Sequence, residues 1–380
     1  MAGDNRPLRV VYVNHVSLCS GAEFSLLSLL RHVQEYGVEP HALVPEGDLA
    51  ERLRDLEIPL TLLPEQRLQR TLNPRRLGAQ LGWLREVRRT ARAVAQETGA
   101  DLLHANSLAA ALALAQRGPA LPPLVWHCRD LLMPRPALRW LAPRCAGIVA
   151  ISHVVDQAIR QAAPARARCA VIYNGVEAED LRPTRAPGAV RQEMEIPAEA
   201  EVVVSVAQLT PWKRLELAVE AARLLSAERP GLRWWIVGEA FPEDAEYARR
   251  LRESAPGQVI FTGYRREAPD LVAAADVFAH AATAEPFGRA VLEAMALGTP
   301  CVGPRAGGIP ELLEHDVSGW LVEPGDAAAL AAGVERLLGD PALRERLARA
   351  AQARARESFS AARTAEQTAA YYRFLLEKPA

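Results

Sequence analysis

The stretch EVVVSVAQLTPWKRLELAVEAARLLSAERPGLRWWIVGE, residues 201 to 239, decides the fold class. A β-branched run (201 to 207) breaks at the loop Gln208-Leu209-Thr210-Pro211-Trp212-Lys213, passes through a helical segment and returns as a second apolar run (232 to 238). A strand, a crossover helix and a second strand imply parallel pairing. The pattern continues downstream at QVIFTG (258 to 263), DVFAH (276 to 280), TPCVG (299 to 303) and SGWLVEP (318 to 324). Upstream it appears at LRVVYVN (8 to 14), PHALVP (40 to 45), ADLLHAN (100 to 106), PLVWHC (123 to 128), GIVAIS (147 to 152) and CAVIYNG (169 to 175). Two doubly wound α/β domains in series are the simplest account. Between them, after Asn174-Gly175, Pro183, Pro187 and Pro197 interrupt any regular element, so that stretch reads as a linker. Residues 326 to 376 read as helices ending in QTAAYYRFLLE, with Tyr371, Phe374 and Leu375 as one sticky face.

Composition agrees. A chain of 380 residues, 49% hydrophobic, exceeds what one core usually serves. With 45 basic and 46 acidic side chains it has no global field for nucleic acid. The balance conceals a split: residues 1 to 180 hold 21 basic and 18 acidic side chains. That excess is concentrated at 67 to 92, where eight arginines face the single acid Glu86. Leu77, Leu81, Leu84, Val87 and Ala91 recur there at helical spacing, a pattern that fits either a packed helix with a solvated arginine face or a basic amphipathic helix lying on an anionic membrane. The five scattered cysteines contain no CxxC pair, which argues against a disulfide framework or zinc ribbon and for a reducing cytoplasm. No uncharged run reaches bilayer length, so attachment to a membrane surface is the most that is expected.

Three absences constrain the chemistry. No GxGxxG follows the first strand, no Walker loop occurs, and there is neither an Asp-x-Asp pair nor a His/Cys cluster, so no metal is expected. After strand one, Ser20-Gly21-Ala22-Glu23 opens a helix either as a capping box or as a helix N-terminus facing a phosphate or sugar, and both can hold at once. Lys213 lies in a loop at the carboxyl end of a strand, where open α/β sheets bind ligands. Of the 45 basic residues only Lys213 and Lys378 are lysines, so a compact ammonium was kept here in a chain that otherwise uses arginine. In EPFGRAVLEAMA (285 to 296) Pro286 is placed to open a helix, with Glu285 at its mouth and Glu293 about 12 Å further along. Glu293 in this apolar segment needs a partner, either Arg289 one turn away or a ligand with vicinal hydroxyls.

Taken in order, SGAE (20 to 23), WHCRD (126 to 130), VIYNGVE (171 to 177), QLTPWK (208 to 213), IVGE (236 to 239), FTGY (261 to 264), EPFGRAVLEAMALGTP (285 to 300) and GGIPE (307 to 311) resemble the retaining glycosyltransferases of family 4. The resemblance implies the GT-B architecture: two Rossmann-like domains facing a central cleft, residues 1 to 180 binding the acceptor and 181 to 359 the nucleotide sugar, with a C-terminal helix at about 360 to 380 packing back on the first. It also implies residue roles. Glu293 would hold ribose hydroxyls, Glu285 sugar hydroxyls and Lys213 the diphosphate. The backbone of Phe287, Gly288, Arg289 and Ala290 would face sugar and phosphates. Tyr264 and Arg265 would meet the base through main chain, and Gly21 would approach the phosphate from the other domain. His127 would contact the transferred sugar, with Ser20, Glu23, Asn106 and Arg129 on the acceptor side.

The chain departs from the family at Gln208, where arginine is usual, and at Arg214, where glycine is usual. Arg214 could restore the missing charge. The expected reaction transfers a hexose from a nucleotide sugar, UDP-linked rather than GDP-linked, to a hydroxyl of a glycan, lipid-linked or small-molecule acceptor. It would proceed with retention and without metal or other cofactor, the departing phosphate taking the acceptor's proton. Two other readings stay open: a nucleotide-sugar epimerase or phosphorylase on the same fold, and a non-catalytic sugar-nucleotide-binding module.

Overall fold

The computed structural model describes residues 6–65, 73–131, 133–163, 168–197 and 199–377. Two compact units emerge, one of Met1–Gly175 with Ala361–Ala380 and the other Val176–Ser360. The first is built on a seven-stranded parallel sheet of β1 (Leu8–Val13), β2 (Val38–Pro45), β3 (Leu60–Leu63), β4 (Leu102–Ala105), β5 (Leu124–Cys128), β6 (Gly147–Ala150) and β7 (Cys169–Val171), in spatial order β3-β2-β1-β4-β5-β6-β7. The second carries six parallel strands, β8 (Val202–Val206), β9 (Arg233–Val237), β10 (Val259–Gly263), β11 (Val277–Ala279), β12 (Cys301–Pro304) and β13 (Trp320–Val322), in order β10-β9-β8-β11-β12-β13. Helices follow most strands, so both faces are covered and the central strands are almost continuously apolar, as in VVVSV of β8.

Strand order reverses once in each sheet, between β1 and β4 and between β8 and β11. Such reversals leave a crevice at the carboxyl ends of the two diverging strands, the usual ligand position in open α/β sheets. In the second unit a polar tie holds the reversal: Ser205 Oγ on β8 donates to Ala279 O on β11 (2.7 Å) and accepts from Trp234 Nε1 on β9 (3.1 Å).

Three local expectations change. The edge strand β3 was not legible, since LTLL is four residues long, between prolines, half-exposed and poor in β-branched side chains. The linker is not irregular: Pro187–Glu193 is a helix, and Asp270 accepts from Thr184 N (2.7 Å), Thr184 Oγ1 (3.0 Å) and Arg185 Nε (2.8 Å), tying this stretch onto the second unit. The C-terminal helix Ala361–Glu377 belongs to the first unit and packs on the helix Gly21–His32. Its buried face uses Tyr372 and Leu375, whereas Phe374 stays 43% exposed. Helical phase is the reason, because Tyr372 rather than Phe374 lies one turn from Thr368 and Ala369 on the buried stripe.

The basic helix, Pro74–Thr98, divides along its length. Val87 and Ala91 are fully buried with Trp83, while Leu77 and Leu81 are 47% and 44% exposed beside Arg75, Arg76 and Arg85. Residues 67 to 72 of the basic stretch, and Lys378, lie outside the described residues.

Candidate functional site

In the second unit β8 ends at Val206 and the chain turns through Gln208 into a short 3-10 turn, Pro211–Lys213. Backbone bonds fix this loop, with Leu209 N donating to Glu239 O (3.1 Å) and Lys213 N to Thr210 O (3.1 Å). The glycine of IVGE allows it: Gly238 has φ +142°, and a Cβ there would lie 1.9 Å from Ala207 O. On the far side of the reversal β11 ends at Ala279 and the chain continues through His280 to Glu285. Lys213 Nζ and Glu285 Oε2 meet 2.7 Å apart, and His280 Nε2 lies 3.3 Å from the same oxygen. The Lys213 ammonium also sits 3.9 Å from the centre of the Trp212 ring.

Glu285 is only 7% exposed. Burial alone would raise its pKa, but Lys213 and then His280 outweigh it and hold the carboxyl at about 2, so it is ionised at neutral pH. The glycines of GGIPE bring a second loop against its backbone. Gly308 N donates to Glu285 O (2.8 Å), and a Cβ on Gly307 would stand 2.4 Å from that oxygen.

The helix after Glu285 begins at Arg289, not at Pro286. Phe287 is buried edge-on against Phe359, with ring centroids 6.1 Å apart, and Gly288 turns left-handed at φ +103° before the helix starts. The Phe287 ring is therefore core, and only its main chain can meet a ligand. Glu293 is then one turn into the helix, paired with Arg289 at 2.8 Å, and Ala290 is half-buried in the first turn. Tyr264 follows β10 and is 65% exposed, while Arg265 pairs with Glu267 at 3.3 Å. Arg214 occupies a left-handed position, φ +53°, and its Nε lies 2.5 Å from Glu216 Oε1. That conformation favours glycine over any residue with a Cβ.

The first unit builds its reversal differently. Asn14 follows β1 and Asn106 follows β4, and Asn106 Nδ2 donates to Asn14 Oδ1 (3.1 Å). Asn14 Nδ2 donates to Glu23 Oε1 (3.3 Å), whose other oxygen accepts from Ser20 N (3.2 Å) and Ser20 Oγ (2.6 Å). Glu23 thus closes the start of the helix at Gly21, itself exposed, and the capping role is realised. Arg129, 8% exposed, spreads its fork over three partners: Nε to Asn106 Oδ1 (2.9 Å), Nη1 to Asn174 Oδ1 (2.7 Å) and Nη2 to His127 Nδ1 (3.4 Å). His127 on β5 also faces His104 Nε2 at 3.3 Å, and its Nε2 has no partner among the described residues. Burial, then the Arg129 charge, lowers the pKa of His104 to about 3, and burial with Arg129 and His104 depresses His127 as well.

Sequence reasoning missed His280, Asn14, His104 and Tyr372. His280 and Asn14 each end or follow a strand run, a polar residue at a carboxyl end being the available signal. His104 and Tyr372 carried none. Among the described residues no group of three or more His, Cys, Asp or Glu side chains is placed to hold a metal ion, and no helix is long and apolar enough to cross a membrane.

Two family models match the chain: "Glycosyltransferase Family 4" over residues 19–180 and "Glycosyl transferases group 1" over residues 189–354. The chain belongs to the family 4 and group 1 glycosyltransferases. Among curated relatives, the lipopolysaccharide core biosynthesis glycosyltransferase LpsE of Rhizobium meliloti is 32% identical over 158 residues, 42% of this chain and 45% of LpsE. N-acetyl-alpha-D-glucosaminyl L-malate synthase of Bacillus anthracis is 26% identical over 226 residues, 59% of this chain and 58% of that protein. The chain thus spans about half the length of the curated relatives it matches. Among solved structures, Anabaena HepE in complex with UDP-glucose is 27% identical with a TM-score of 0.80, covering 96% of this chain and 98% of HepE. The fold is that of the GT-B glycosyltransferases.

Proposed function

We propose that this family 4 glycosyltransferase moves a hexose-type sugar from a nucleotide sugar, UDP-linked in preference to GDP-linked, to a hydroxyl of a glycan, lipid-linked or small-molecule acceptor. The observation that carries the reading is the Lys213–Glu285 pair spanning the β8/β11 reversal. A cation and an ionised buried carboxylate at adjoining strand ends suit a ligand with anionic and hydroxyl-bearing parts. An ammonium has three N–H donors, so Lys213 can keep Glu285 while also donating to a diphosphate. The complex of HepE with UDP-glucose supports the choice of nucleotide.

In this reading Lys213 and the main chain of Phe287–Ala290, which leads into the helix at Arg289, stabilise the departing diphosphate, the point at which negative charge grows. Gln208 adds an uncharged donor and Arg214 a charge. Glu285 orients the sugar hydroxyls, Glu293 exchanges Arg289 for the ribose hydroxyls, and Tyr264 and Arg265 meet the base through main chain. The first unit takes the acceptor through Ser20, Glu23, Asn106, Arg129 and His127, with Gly21 facing phosphate. By its resemblance to the retaining members of family 4, the acceptor hydroxyl attacks the face the diphosphate leaves and the departing phosphate takes its proton, with retention and no metal.

Incubation with UDP-glucose and candidate acceptors, followed by NMR of the product, tests this. An α-linked product from the α-linked donor at undiminished rate in EDTA is expected. An inverted product removes the mechanism, and rescue by Mn²⁺ alone removes metal independence. A C2 epimer formed without acceptor would favour the epimerase reading. The exposed Leu77 and Leu81 among arginines favour a further contact, with the chain sitting at the inner face of the cytoplasmic membrane. Co-sedimentation with phosphatidylglycerol vesicles in preference to phosphatidylcholine vesicles is expected, and equal sedimentation with both would dispose of it.

A further inference from the structure

A line of buried polar groups leads from the C-terminal helix to the orphan nitrogen of His127. Tyr372 is fully buried, with its hydroxyl 2.6 Å from His104 Nδ1 and 3.3 Å from the Tyr12 hydroxyl. His104 Nε2 lies 3.3 Å from His127 Nδ1. Arg129 Nη2 approaches that same Nδ1 at 3.4 Å. All of these residues lie in the first unit.

The proton positions follow by elimination. A guanidinium can only donate, so His127 Nδ1 facing Arg129 is an acceptor. Both imidazoles are held neutral by their burial and by Arg129, so each carries one proton. His127 therefore carries its proton on Nε2. His104 must then donate from Nε2 to His127 Nδ1, since two lone pairs would otherwise face each other. That leaves His104 Nδ1 as an acceptor for the Tyr372 hydroxyl at 2.6 Å, the shorter of that hydroxyl's two contacts. The opposite ordering would set a His127 Nδ1–H against the Arg129 N–H.

We propose that Tyr372 and His104 are positioning residues which, together with Arg129, fix His127 as a hydrogen-bond donor at Nε2. His127 would then present an N–H to an oxygen of the bound sugar or acceptor and would not act as a base. The N–H is aimed by a residue more than two hundred positions away, on the helix that returns to the first unit. The substrate part of this inference rests on the glycosyl-transfer reading; the proton order does not.

The test is the side-chain ¹⁵N spectrum of the full chain labelled at histidine, the His127 signals being those lost in His127→Gln. At pH 7 a neutral, Nε2-protonated His127 is expected. A Nδ1-protonated or imidazolium His127 overturns the proposal without any measurement of activity. Tyr372→Phe, which keeps the ring, is expected to weaken the Nε2–H signature of His127. It should also lower kcat by about fivefold to tenfold, the size of one hydrogen bond, with donor KM unchanged. An unaltered His127 spectrum and kcat in Tyr372→Phe would overturn the relay. If no donor is turned over at all, the spectrum still decides the proton order, so failure of the glycosyl-transfer reading is seen separately.

Discussion

The two reversals share a topology and differ in how they are held. Between β8 and β11 a lysine and a carboxylate meet directly at 2.7 Å. Between β1 and β4 two asparagines meet at 3.1 Å, and the buried charge nearest them, Arg129, is spread over amides and a neutral imidazole. A compact ion pair can exchange one partner for an anionic ligand, because full charges are already present. In the first unit the charges of Glu23 and Arg129 are already taken up by Ser20, asparagine amides and a neutral imidazole, so the network offers directed donors and acceptors, which suits hydroxyls. Chemistry that stabilises a leaving anion is therefore expected of the second unit and recognition of an uncharged nucleophile of the first.

Removing Lys213 is the strongest way to break that contrast. Lys213→Ala leaves Glu285 buried without its main counter-charge, so a stability loss of about 3 kcal/mol confined to the second unit is expected from loss of one partner of a buried pair. Turnover should fall by about a hundredfold to a thousandfold, the cost of deleting a charge-stabilising group. Near-wild-type turnover in Lys213→Ala, with loss in Arg214→Ala, would transfer the role to Arg214.

Acid separates the two units next, and the signs can be worked out. Glu285 has its pKa depressed from 4.5 to about 2, so the stability it lends is complete above about pH 4.5 and is lost as pH falls toward 2. His104 is depressed from 6.5 to about 3, so the unfolded chain takes up its proton first and stability already declines below pH 6.5. Between pH 7 and 5 the first unit should lose about 2 kcal/mol through His104 alone, while the Glu285 contribution scarcely changes. Hydrogen exchange followed unit by unit at pH 7 and 5 measures this, and equal loosening of both units would contradict it.

Much of this was legible in the sequence because strand runs and loop motifs are local. Twelve of the strands coincide with apolar runs, and the SGAE, QLTPWK and EPFG segments lie in the connections that follow β1, β8 and β11. What stayed hidden depends on three-dimensional register. The EPFG pattern predicts a helix opening at Pro286, yet burial of Phe287 against Phe359 and the left-handed Gly288 postpone the helix to Arg289. Tyr372 and His104 are 268 positions apart, and no spacing rule joins a C-terminal helix to β4. The assigned site roles rest on the motifs and the proposed chemistry together.

Arg214 gives the smallest expected effect and the most discriminating one. Its side chain is held by Glu216 at 2.5 Å, and its backbone takes the left-handed conformation that disfavours every residue with a Cβ. Arg214→Gly relieves about 1 kcal/mol of that strain. Part is offset by the greater freedom of glycine in the unfolded chain, so a rise in Tm of about 1 to 2 °C is expected. Its effect on turnover bears on Gln208. If Arg214 supplies the charge that Gln208 lacks, Arg214→Gly stabilises the second unit and slows transfer together. Restoring the clamp in Gln208→Arg should then recover the rate in the Arg214→Gly background more than in the wild type. If Arg214→Gly is more stable and equally fast, Arg214 serves only to pair with Glu216, and the work of neutralising a diphosphate falls on Lys213 and the helix start at Arg289. Either result assigns the left-handed residue after the lysine to catalysis or to local structure.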